Sequence, residues 1–347
     1  MHASSASIAS FGAHVPLVVS QRGHTPENIH YGSIAVVDAQ GTLLHAAGDP
    51  TFVTFTRSAL KAFQALPFLL DEGPRHFGLT TQETALLTAS HSGEAAHVEA
   101  VDGLLSKAGQ TVARLRCGCH VPYVYEATGR AVPAEARFDA RHHNCSGKHA
   151  GFLAYCTLHG LPTESYLDPQ HPLQQRIRQE VARLLGAQPD TLATGTDGCS
   201  APNLALPLAQ LARLWAMVAS GGGHARTDAC FEQIFNVMTC HPDMVSGTDR
   251  PDLHFSQAGR GDWVAKAGAD GVQTFAIRSR GLGIAIKMAD GHAQARYVAA
   301  VEVLRTLGLA DPDDPHLSRY ARIPLHNIAG LRVGELRPVL TLRALAS

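Results

Sequence analysis

Apolar residues cluster in short runs at both ends of the chain and recur at helical spacing between them. Near the N-terminus, Pro16–Ser20, Ser33–Asp38 (SIAVVD) and Thr42–Ala47 (TLLHAA) predict three strands. The break at Ala39, Gln40 and Gly41 reads as a hairpin turn between the last two. Three more strands are predicted at Trp263–Lys266, Gln273–Arg278 and Gly283–Met288 (GIAIKM), punctuated by glycine and Asp-Gly turns.

Between these blocks the period changes to that of a helix. Ala59, Leu60, Phe63, Leu66 and Leu69 form one stripe after Arg57 and Ser58. Thr80 and Glu83 have capping-box spacing and open a short helix expected to end near Ser90. Pro172 occupies a first-turn position before Leu173, Ile177 and Val181. Helices are also predicted over Ala205–Ala219, Cys230–Met238 and His292–Leu307. The expected architecture is α/β (α+β): a sheet lobe from about 1–56 and 260–347, with a helical lobe at about 57–259 inserted between its halves.

Composition narrows the function classes. The 347 residues carry a formal net charge of -1, and no basic run or membrane-length apolar stretch interrupts them. Nucleic acid and membrane are therefore not expected partners. The first 21 residues lack the basic and apolar regions of a signal peptide, and seven cysteines make an odd count. Free thiols in a reducing, cytoplasmic setting fit better than a disulfide framework. Of 29 basic residues only five are lysine: Lys61, Lys107, Lys148, Lys266 and Lys287.

Three of those lysines lie in motifs with chemistry. Ser58-Ala-Leu-Lys61 is the chain's one S-x-x-K, a spacing that brings amine and hydroxyl together on a helix. A neutral lysine can activate a serine, provided burial and nearby positive charge lower its pKa. Ser90-His91-Ser92 follows, and Lys266-Ala-Gly268 ends a predicted strand. That order is the one used by serine penicillin-recognising enzymes and β-lactamases, although S-H-S stands where they have S-D-N. Cys145 and Lys148 in NCSGKH, with Cys199 in GTDGC, could hold a zinc ion; His149, His91 and Asp197 are alternative ligands. Arg116-Cys-Gly-Cys119-His120 reads as a structural or substrate-adjacent loop, and Cys156, Cys230 and Cys240 as packing residues.

Taken together, RSALKAFQA, ASHSGE, RCGCH, HNCSGKHAG, GTDGCSAPNLALPL, HPDMVSG and AKAGADGV resemble the bacterial L-asparaginase family of the rhizobial inducible, thermolabile type. The resemblance spans nearly the whole chain. It departs at Cys119, where the family segment has glycine, and fades after Ala310. It implies a fold similar to serine β-lactamases, a homodimer, and L-asparagine as substrate. It further implies that Ser58 with Lys61 and Ser90 with Lys266 form two Ser–Lys tandems, and that Cys145, Lys148 and Cys199 bind zinc. Arg57, His91, Lys148 and Asp197 are the candidate substrate contacts. The competing readings are an S-x-x-K acyltransferase or hydrolase acting on peptides or β-lactams, a glutaminase, and a zinc-stabilised amino-acid-binding protein.

Overall fold

The run SIAVVD is only the apolar half of a much longer strand. In the computed structural model, which describes residues 13–311 and 313–345, β1 (Val15–Arg22) pairs antiparallel with β2 (Thr25–Asp38). The polar first half of β2 lies against β1, which hid it from an apolar-run reading. Its second half pairs β3 (Leu43–Ala47) on that same edge. The twelve N-terminal residues, part of the segment read for a signal peptide, lie outside the described residues.

Two chain ends build one antiparallel sheet. After β4 (Val53–Phe55), β5 (Ala193–Thr196) and β6 (Pro202–Pro207) come β7 (Trp263–Gly268), β8 (Val272–Ile277) and β9 (Leu282–Met288). They are followed by β10 (Ile323–His326), β11 (Arg332–Pro338) and β12 (Arg343–Ala344). The main sheet runs β10-β11-β1-β2-β9-β8-β7, with β3 and β12 paired beside β2. The last three strands were not predicted: β10 and β12 are short, and β11 (RVGELRP) has charged residues and a glycine where an apolar run would show.

The central block is not purely helical. β4, β6 and β5 form a small antiparallel sheet of their own. The helix expected from Ala205 begins at Leu208, because Pro207 takes an extended ψ of 139° as N-cap and leaves 205–207 in β6. The capping box forms as expected, with Glu83 N–H on Thr80 Oγ1 at 3.1 Å and Thr80 N–H on Glu83 Oε2 at 2.7 Å. That helix stops at Leu86, earlier than expected, since Ser90 N–H and His91 N–H turn away to the carbonyls of Val245 and Asn144. Cys156 and Cys230 are buried in helices, but Cys240 ends its helix exposed and does not pack.

Period-two alternation in β9 divides the core. Ile284, Ile286 and Met288 pack with the helix Ala293–Thr306 on one face, whereas Ala285 faces the larger helical layer. The helix Leu208–Ser220 reaches that second face because position 283 is glycine. A Cβ there would collide with the Ala212 carbonyl oxygen and crowd the Ala216 nitrogen. Backbone atoms cannot swing aside, so Gly283→Ala should destabilise by about 1–3 kcal/mol or more, as overpacking does. Chemical denaturation checks this, and an unchanged midpoint would refute the close approach.

Candidate active site

The site begins with a backbone strain. Ser58 stands on a 3-10 turn, Arg57–Leu60, that feeds the helix Lys61–Leu70. Arg57 has φ +49°, a left-handed conformation that a residue with a Cβ adopts at an energetic cost. The neighbours hold it there. Buried Thr56 donates N–H to the Leu204 carbonyl at 3.0 Å, and its hydroxyl lies 2.9 Å from Asn203 Oδ1 and Leu204 O. On the other side, a Cβ on Gly268 would lie 2.8 Å from Thr56 O, so β7 runs tight against the turn. Arg57 itself pairs with Asp197 (Nε to Oδ1, 2.7 Å) and with Asp270, and so turns away from Lys61.

Two lysines meet at the second serine. Lys61 and Lys266 are both fully buried, and their Nζ atoms lie 3.0 Å and 2.8 Å from Ser90 Oγ. Lys61 also reaches Ala89 O at 2.5 Å and Asn144 O at 3.4 Å, so its three donors have three acceptors. Three acceptors around one nitrogen are the surroundings that suit an ammonium. Burial, reinforced by the Lys61 charge, pushes Lys266 down to about 7. Lys266 is the amine that can be neutral near physiological pH. In that state the Ser90 hydroxyl accepts from Lys61 and donates to Lys266.

Ser58 lines the same cleft. It stands where two lobes of about 800 and 590 Å³ join, sharing that junction with Tyr123, Glu126, Asn144 and Ala269. Among the described residues no hydrogen bond engages its hydroxyl, and the backbone N–H groups of Ser58 and Ala269 have no acceptor. The sequence reading missed Tyr123, Glu126, Asn144 and Arg250, all of which line the lobe holding both serines. Only Asn144 carried a signal, as the first residue of NCSGKH.

Beneath the cleft lies the thiol cluster. Lys148, buried, donates from Nζ to Cys199 Sγ at 3.1 Å. Burial alone would lower its pKa, but Cys199, Cys145 and Asp197 outweigh that and hold Lys148 at about 12. A hydrogen bond with Cys199 draws the Cys145 thiol well below its usual value, and the Lys61 and Lys148 charges add to the effect. Among the described residues no three His, Cys, Asp or Glu side chains converge on a metal position. Three donors meet only when Lys148 is counted. Buried His149, with Nδ1 on the Tyr166 hydroxyl at 2.8 Å, leaves Nε2 without a hydrogen-bond partner beside this cluster. Two thiols and an amine are a donor set whose chemistry suits a thiophilic ion such as zinc.

Two expected substrate contacts do not reach the cleft. The fully buried His91 has Nε2 on Ser146 Oγ at 2.8 Å, and its Nδ1 accepts from Gly93 N–H at 3.0 Å. Burial, with His97 close by, keeps its pKa well below the usual value, so His91 is a neutral structural ring. Lys148 is committed to the thiols. Arg57 and Asp197 do line the cleft, each answering the other's charge. Burial would raise the Asp197 carboxyl, but Lys148 and Arg57 hold it below its ordinary range. The 116–120 segment is a loop beside the cleft, as read from the sequence, with both exposed Cys119 and buried Cys117 in the cleft lining.

No curated protein sequence matches the chain. Solved structures of Mglu are similar to it at low identity. Mglu in its native form gives a TM-score of 0.46 at 15% identity over 81% of this chain and 66% of that one. The glutamate form gives 0.39 at 19%, over 81% and 62%. The chain thus spans just under two thirds of the Mglu length. No helix among the described residues is long and apolar enough to cross a membrane. The model of the L-asparaginase II family, a family of amidohydrolases, matches residues 18–338, and the chain belongs to that family.

Proposed function

We propose that the protein hydrolyses the side-chain amide of L-asparagine to L-aspartate and ammonia through a serine acyl-enzyme. The observation that carries this reading is the pair of buried lysines converging on Ser90 in the cleft that Ser58 lines. Ser58 is the nucleophile, since its hydroxyl is free and it sits at the junction of the lobes. Its proton passes by way of Ser90 to neutral Lys266, with the Lys61 ammonium fixing the direction of the relay. The free N–H groups of Ser58 and Ala269 are the donors available to the developing oxyanion. The Ser58 Oγ–carbonyl bond forms, the C–N bond breaks, and the relayed proton leaves with ammonia. Water then hydrolyses the β-aspartyl ester.

A β-lactamase-like fold is part of the same proposal. Its support is the S-x-x-K turn packed against the strand that ends in Lys266-Ala-Gly268, in a sheet drawn from both chain ends. Cys145, Lys148 and Cys199 would hold zinc, which when bound would neutralise the thiolates and brace the floor of the cleft. Lys148 would have to give up its proton to bind it, as any amine ligand must.

Two outcomes test the assignment. Ser58→Ala should abolish turnover, and acid-quenched wild type should carry a β-aspartyl adduct on the Ser58 peptide by mass spectrometry. An adduct on Ser90 would reverse the serine roles. Because Lys266 works uncharged and its pKa is about 7, kcat/KM should fall on the acid side of neutrality, by about tenfold per pH unit. Lys266→Arg, which cannot shed its proton, should cost at least about a hundredfold at every pH. A flat wild-type profile between pH 5 and 8, on this order-of-magnitude reasoning, removes Lys266 as the base.

A further inference from the structure

A free amino-acid substrate brings two charges beside its amide, and the cleft must answer both. Most of the charged groups around the serines are already committed. Arg57 pairs with Asp197 and Asp270. Asp252 accepts from Ala267 N–H at 2.8 Å and from Gln273 Nε2 at 3.3 Å. Arg296 donates to the carbonyls of Gly268 and Val272. Asp249 is held more loosely, 3.8 Å from His254 Nε2.

Two opposite charges have no ion pair at all among the described residues. Glu126 lines both lobes and has no ion pair or hydrogen bond to its carboxylate among the described residues. Arg250 lines the lobe that holds Ser58 and Ser90; its guanidinium lies 4.7 Å from the Tyr123 ring centre and meets no carboxylate. Tyr123 and Glu126 stand one turn apart on the helix Tyr123–Thr128, so the cation rests on the element that carries the anion.

Both arms are tied to the segment that bears Ser90. Val124 N–H bonds the Ser92 carbonyl at 3.1 Å. Thr248 bonds both Glu94 carboxylate oxygens at 2.8 Å, through its N–H and its hydroxyl. The segments that carry the two charges are therefore anchored to the same stretch of chain, Ser90–Glu94.

We infer that Glu126 and Arg250 form a zwitterion clamp, Glu126 taking the α-ammonium and Arg250 the α-carboxylate of the substrate. This assignment rests on the amino-acid amidohydrolase reading above, and it moves substrate recognition away from Lys148 and His91. The clamp explains why two opposite charges face one lobe without pairing. It also makes the free amino acid, with both charges intact, the preferred substrate.

Analogues that lack one charge test each arm. Succinamate is asparagine without the α-amino group, and β-alaninamide is asparagine without the α-carboxylate. Glu126→Gln should cut kcat/KM for asparagine by about 10- to 100-fold, mainly through KM, as loss of a charged hydrogen bond does. The same change should collapse the preference for asparagine over succinamate while retaining that over β-alaninamide. Arg250→Gln should do the reverse, and Arg250→Lys should restore part of the lost preference. Equal proportional losses on all three amides would mean a structural role and overturn the clamp. Calorimetry with L-aspartate separates this inference from the activity on which it rests. If wild type releases no ammonia from asparagine, the asparaginase reading fails. Aspartate binding that is weakened about tenfold or more in both Gln variants would still support the clamp. Binding that is unchanged in either variant, or absent from wild type, would overturn it.

Discussion

Two lysine amines shielded from water share one serine hydroxyl at the edge of the cleft, and the rest of the site follows from that constraint. A buried ammonium needs every donor satisfied, and Lys61 finds three acceptors in Ala89 O, Ser90 Oγ and Asn144 O. A second ammonium beside it would meet like charge as well as desolvation, so the proton is the cheaper thing to give up. Lys266 therefore stands near neutrality without any acid or base of unusual type. The direction of the hydrogen bonds through Ser90 is then set by which amine keeps its proton.

Holding that arrangement requires backbone from four distant parts of the chain. Lys61 follows the strained turn at Arg57, Ser90 follows the helix Thr81–Leu86, Asn144 precedes the thiol cluster, and Lys266 lies on β7. Each is fixed by contacts that are not themselves chemical. Thr56 is bonded to β6, Gly268 lets β7 close on the turn, and Thr274 Oγ1 donates to the Lys266 carbonyl at 2.9 Å. The left-handed Arg57 is paired with two carboxylates, and Ser58 beside it lines the cleft. Electrostatics and backbone geometry thus constrain the same few residues.

What could be read from the sequence was whatever had a period or a close spacing. The apolar strands β7, β8 and β9 and the helix after Pro172 announced themselves through alternation, capping and a first-turn proline. Ser58 and Lys61 were legible because they lie three apart. Glu126 and Arg250 were not, because nothing in their neighbours distinguishes an unpaired surface charge from one lining a cleft. The protonation states were hidden for a related reason. Whether Lys61 or Lys266 gives up its proton depends on Asn144 O and Ala89 O, acceptors supplied by backbone from elsewhere in the chain. The same limit applies to His91: it was read as a substrate contact, and its two bonded ring nitrogens and full burial turn it into the interior.

The scarcity of lysine takes on a physical meaning in this setting. Lys61, Lys148 and Lys266 are all buried, and the two outside the chemistry are also committed. Lys107 pairs with Glu83 of the capping box at 2.5 Å, and Lys287 donates to the Asp270 carbonyl in the turn that follows Lys266. Arginine could answer the Glu83 carboxylate, since only charge is asked of the residue there. It could not replace Lys266 in the proposed relay, which needs an amine that can lose a proton, nor Lys61, whose compact amine fits three acceptors around one nitrogen. A guanidinium spreads its donors over a plane and stays charged. Of these buried lysines, Lys266 on the end of β7 is therefore the one for which, under the proposed mechanism, the choice between the two basic residues is decided by chemistry and not by packing.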